Sequence, residues 1–284
     1  ISLLIGWFNL DNQKPKSNNQ FAYGQFALIG ISLISAILAL GKLQSGKLTA
    51  TIIILALVAI IAMGGFIKVA KNAENQLVNI SVFRSKAVVM ALLIYATSQV
   101  INLAVNFAVP QYSQLTLGTT TMIAGLILMP GSLLGSVFNP IYGSMYDRLG
   151  ANKPLIWGSL GFLAIMIIFS VMAPSIATIG LTVVYALFTV TRNLTFSVSM
   201  TAGVAEVKPQ QTGDINAIFN TVQQFVGAVG TTVAALFIQT TGTTKSAIAT
   251  QTATGFGHLI VFSTVIVAIS LIWLVIFMKN KTAK

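Results

Sequence analysis

Few side chains in this sequence have types that do chemistry. Cysteine is absent, which removes disulfides, thiolate metal sites and cysteine nucleophiles. The single histidine, His258, excludes a multi-histidine metal site. It stands just ahead of a hydrophobic run and reads as an interfacial residue. No phosphate-binding glycine loop, zinc-protease motif or serine-nucleophile elbow occurs, so neither an ATP-driven pump nor a membrane enzyme is expected. No metal and no cofactor are expected either. What remains is one charged loop, two polar rows, one isolated arginine and five carboxylates.

The charged loop is Gly143-Ser-Met-Tyr-Asp147-Arg148-Leu-Gly150-Ala-Asn-Lys153. Its glycines suit a tight turn and close helix approach. Asp147 has the chemistry to accept from helix N-terminal amides or to pair with a cation. The segment reads either as a latch between two helices or as a plain turn with a solvated ion pair.

The polar rows lie within apolar runs. Ser98, Asn102 and Asn106 recur every four residues and share one helix face. Asn216, Asn220 and Gln223 or Gln224 do the same further on. Asn102, Asn106, Asn220 and Gln224 are candidates for a substrate-contacting cavity wall, and equally for hydrogen bonds between helices. Gly131, Gly135, Gly227 and Gly230 read as close-packing positions. Arg192 is placed toward one end of its run, about two turns from the interface. Snorkelling to headgroups or water is the favoured reading. The other is a cavity cation, or a partner for an acid outside this chain.

The carboxylates are Asp11, Glu74, Asp147, Glu206 and Asp214. None falls in the middle of an apolar run, where a proton-coupling acid is expected. Asp214 comes nearest. It reads as a favourable anion at a helix N-terminus, with a proton-linked role as the alternative.

These residues are carried by elements that composition makes plain. Of 284 residues, 55% are hydrophobic and 7% charged. Soluble domains carry about 25% charged residues. Lipid is the solvent that accepts such a chain. A span takes roughly 20 apolar residues. Eight runs qualify: Gly24–Leu40, Leu48–Ile67, Ala87–Pro110, Thr121–Tyr142, Pro154–Met172, Ile176–Val198, Asp214–Gln239 and Gly257–Met278. Their unbroken length argues against a β-barrel. The expected fold is an all-α integral membrane bundle of about eight transmembrane helices. Ile1–Leu10 is too short to span and has no signal-peptide pattern; it reads as the end of a ninth helix whose beginning is missing.

The net charge of +11 follows the topology. Alternate connections hold Lys14, Lys16, Lys68, Lys71, Arg84, Lys86, Arg148, Lys153, Lys208, Lys279, Lys281 and Lys284, against Lys42, Lys47 and Lys245 on the other side. That asymmetry places both ends of the chain in the cytoplasm. Trp7, Trp157 and Trp273 fall near cytoplasmic span ends, where amphipathic rings prefer to sit. No nucleic-acid partner is expected.

Gly143, Asp147, Arg148, Gly150 and the following Lys153 resemble the cytoplasmic loop motif of the major facilitator superfamily, with Ala151 where the family often has Arg. Val109-Pro-Gln-Tyr112-Ser-Gln114, Met129-Pro130-Gly131, Asn216 through Gly230, and Asn79 through Arg84 resemble its fourteen-helix drug:proton antiporter branch. The resemblance implies three parts. Residues 1–10 end a truncated helix, 11–78 hold two extra transmembrane helices and a cytoplasmic loop, and 79–284 form a C-terminal six-helix bundle. It also implies a missing N-terminal bundle carrying the coupling acids. The expected function is proton-coupled multidrug efflux by alternating access in a plasma membrane. The bilayer, protons and small amphipathic drug-like molecules are the expected partners. A dedicated exporter of one metabolite, peptide or lipid is the alternative, and a non-transporting truncated remnant a third.

Overall fold

The computed structural model describes residues 22–43, 47–73, 76–77 and 79–282. The helix end expected at residues 1–10, with Trp7, Asp11, Lys14, Lys16, Glu74 and Lys284, lies outside the described residues. The eight expected spans are all helices long and apolar enough to cross a membrane. They are α1 (Tyr23–Leu43), α2 (Ala50–Asn72), α3 (Lys86–Leu115), α4 (Thr121–Leu149), α5 (Asn152–Met172), α6 (Thr178–Ala205), α7 (Thr212–Ile238) and α8 (Lys245–Thr282). A short 3-10 turn, Ile80–Arg84, precedes α3. No strand occurs among the described residues.

Caps set the boundaries. Ser85 accepts from the Val88 N–H at 3.4 Å and starts α3. Thr120 accepts from the Ile123 N–H at 3.3 Å and starts α4. α4 runs as one helix through Pro130 and Pro140. Gly150 stops it at φ 71° and ψ −179°, a backbone region open to little but glycine.

Three helices outrun the hydropathy signal furthest. α4 passes Tyr142 to reach Leu149, and α6 passes Val198 to reach Ala205. α8 begins at Lys245 rather than Gly257; its 38 residues extend about 57 Å, nearly twice the hydrocarbon thickness. The cause is the same each time. Hydropathy falls where lipid ends, but nothing there breaks the helix. At the start of α8, Gln251 Oε1 accepts the Thr241 and Gly242 N–H groups at 2.9 and 3.1 Å and ties down the α7–α8 connection.

α3 is the central helix and packs on α6, α7 and α8. α4 packs on α6, and α5 packs on α6 and α8. α1 and α2 pair with each other and touch the bundle through α1 and α7. A Cβ on Gly230 would collide with the Val100 carbonyl oxygen, so this glycine sets the α3–α7 spacing. Ile60, Ile61, Val171, Ile179 and Ile272 stand outward and exposed, an apolar rim that needs lipid rather than water.

Candidate functional site

The Asp-Arg motif sits on the end of a helix, not in an open loop. Gly143, Asp147 and Arg148 belong to α4, and the connection to α5 is Gly150 and Ala151. Gly143, Asp147, Arg148, Gly150 and Lys153 are all exposed. Arg148 in the last turn suits the negative helix end; Asp147 beside it does not. Asp147 and Glu206, at the end of α6, both act electrostatically on Tyr146. Asp147, Glu206 and Asp214 thus occupy one face of the bundle. Asp214 is the third residue of α7, where an anion favours the helix dipole.

Because α6 continues to Ala205, Arg192 is at the middle of the helix, about 20 Å from either end at 1.5 Å per residue. It is only 8% exposed. Its side chain is enclosed by the bundle. The guanidinium lies over the Phe196 ring, 5.1 Å from the centroid. The phenols of Tyr95 on α3, Tyr142 on α4 and Tyr185 on α6 are within its electrostatic reach. Its Nε has no hydrogen-bond partner among the described residues.

Those tyrosines tie the helices together. Tyr185 donates to Asn106 Oδ1 at 2.6 Å, joining α6 to α3. Tyr142 donates to the Val190 carbonyl at 2.8 Å, joining α4 to α6. Tyr95 donates to Gln223 Oε1 at 2.8 Å, joining α3 to α7. Tyr95 also stacks on Phe196 at 4.5 Å and meets Phe219 edge-on at 4.7 Å. Asn102 is buried on the same face of α3. Ser98 donates back to the Ile94 carbonyl and takes no part in bridging.

On α7 the polar row divides. Gln223 turns inward to Tyr95, while Asn220 and Gln224 are exposed. Asn220 donates to the Asn216 carbonyl at 3.0 Å. Gln224 is the thirteenth of 27 residues in α7 and so stands at mid-helix.

The structure brings together Asn106, Arg192 and the three tyrosines, with Asn102 on the same α3 face. Asn220 and Gln224 are held on a separate open face, and the Asp147 group at one end. Tyr95, Tyr142 and Tyr185 were missed from sequence, and the row on α7 left Gln223 and Gln224 as alternatives. Extending the α3 row by one more turn, from Asn102 and Ser98 back to Tyr95, was the available signal. No nucleophile–base pair arises here. The chemistry is that of a buried cation in a phenol shell and a polar strip on an apolar bundle.

Such a bundle defines a multi-pass helical membrane protein. The Major Facilitator Superfamily model matches residues 20–231. The chain belongs to that superfamily, a family of transporters. It is 28% identical over 193 residues to the lincomycin resistance protein LmrB of Listeria monocytogenes, covering 67% of this chain and 41% of the relative. It is 23% identical over 194 residues to the LmrB of Bacillus subtilis, covering 68% and 40%. It is 24% identical over 225 residues to the putative multidrug resistance protein MdtD of Citrobacter koseri, covering 77% and 47%. The chain spans about two-fifths of the length of the LmrB relatives it matches.

Proposed function

We propose that this chain is part of a secondary active exporter of small amphipathic, drug-like molecules, coupled to proton influx and working by alternating access. One observation carries the reading. Gln224 stands exposed at the middle of a membrane-spanning helix, with Asn220 one turn away on the same open face. Amides at that depth are costly against lipid and are retained where they face water or protein. A water-filled cavity closed by a second bundle meets that requirement. The relatives named for lincomycin and multidrug resistance support drug-like substrates.

In this reading residues 79–284 are the C-terminal bundle, 11–78 hold two extra helices and a cytoplasmic loop, and an N-terminal bundle of the whole protein, for which the longer relatives leave room, faces them. That bundle supplies the proton-carrying acids. Asn102, Asn106, Arg192, Asn220 and Gln224 belong to the cavity wall and its support. Asp214 and the motif of Gly143, Asp147, Arg148, Gly150 and Lys153 act at the cytoplasmic gate. The Lys and Arg asymmetry supports a plasma-membrane orientation with both ends of this stretch inside. The test is to express the full-length gene product in a bacterial host stripped of its own efflux pumps. Raised resistance to lincomycin and to an unrelated amphipathic dye is expected. Resistance to neither, with the protein present in the membrane, overturns the reading.

A further inference from the structure

An apolar slot of about 390 Å³ opens between α1, α2, the 3-10 turn and α7. Its size lies at the small end of ligand cavities, roughly 300–1,000 Å³. Ile29, Phe66, Ile67, Phe83 and Ile218 form its walls, and Lys71 is the one charged residue that lines it. The arrangement along α2 has a direction. Met63, Phe66 and Ile67 line it along α2, and Lys71 follows them in the last turn of that helix. Ile67 and Phe83 remain 41% and 43% exposed at its rim. Lys68, Arg84 and Lys86 are exposed on the neighbouring turns of chain. None of the lining residues is acidic.

We propose that this slot holds one acyl chain of an anionic phospholipid, with the lipid phosphate on the Lys71 ammonium. Charge decides the occupant. A cationic amphiphile would place like charge on Lys71, and a zwitterionic lipid brings a compensating cation of its own. An anionic headgroup gains from Lys71 and from the basic residues around it. The bound lipid bridges the α1–α2 pair to α7, across a boundary where these elements otherwise meet through few side chains. The orientation proposed above puts this site in the cytoplasmic leaflet; the slot itself does not depend on the transport reading.

The test uses the full-length gene product in a neutral detergent. Phosphatidylglycerol and phosphatidylcholine with identical chains are titrated in, and bound lipid is counted by native mass spectrometry. Phosphatidylglycerol is expected to bind about fivefold more tightly for each basic residue engaged. Lys71→Gln removes most of that preference and Lys71→Arg keeps it. Ala217→Phe, which fills the slot from an exposed position on α7, weakens binding of both lipids. Equal binding of the two lipids overturns the proposal. So does an undiminished preference in Lys71→Gln, or full lipid binding in Ala217→Phe. Displacement of phosphatidylglycerol by an equimolar cationic dye would assign the slot to substrate instead and also overturn it.

Discussion

The Arg192 guanidinium faces one side of the Phe196 ring at 5.1 Å, and Tyr95 stacks on that same ring at 4.5 Å. A buried cation thereby lies against an aromatic face, and no ion pair with a carboxylate of the described residues accompanies it. Lysine reproduces the charge but not the planar contact. Arg192→Lys is expected to lower the initial efflux rate at least about tenfold, with normal membrane levels, since a cation–π contact that is desolvated is worth about 2 kcal/mol. Efflux normalised to protein in the membrane checks this. A rate equal to wild type would mean that the geometry at Phe196 is incidental.

The Tyr185–Asn106 bond joins α6 to α3. Hydrogen bonds between membrane helices average about 0.6 kcal/mol and reach about 1.7. Tyr185→Phe and Asn106→Leu should therefore be non-additive by an amount in that range. A double-mutant cycle on unfolding in mixed micelles measures it. Strict additivity would show that the bond contributes nothing to stability.

Two glycines have opposite expectations. Gly230→Ala pushes a methyl into the Val100 carbonyl and should destabilise by about 1–3 kcal/mol. Gly143→Ala has nothing within 4 Å of its new Cβ and should be neutral or slightly stabilising, because alanine suits a helix better. Thermal unfolding of the two variants side by side checks the contrast.

Asp147 is exposed at the end of α4. Asp147→Asn should leave the unfolding temperature unchanged while lowering efflux severalfold, if this carboxylate serves the gate and not the fold. Resistance and thermal shift measured on the same preparation separate the two. A fall in stability with efflux intact would place Asp147 in the scaffold.

The architecture was legible because the bilayer imposes one period and one length on every span. Eight apolar runs became eight helices, and His258, read as standing just ahead of its run, lies 13 residues inside α8. The ends were less legible. Val198 and Tyr142 marked where hydropathy falls, but the backbone of α6 and α4 has no reason to stop there. Arg192 stands at mid-helix although it lies toward one end of its apolar run. Periodicity correctly grouped Ser98, Asn102 and Asn106, yet it could not say which would bond inward. Ser98 turned to its own helix, Asn106 to Tyr185, and of the adjacent pair Gln223 and Gln224 only the first reaches Tyr95. One residue of helical rotation decides that choice, and only the packed partner fixes it.

The decisive measurement is substrate uptake into everted membrane vesicles carrying the full-length gene product. An imposed inward-acid proton gradient should drive uptake of lincomycin or an amphipathic dye, a protonophore should abolish it, and Gln224→Leu should cut it severalfold at equal protein level. Uptake that ignores the gradient, or none at all from correctly inserted protein, would contradict a proton-coupled exporter.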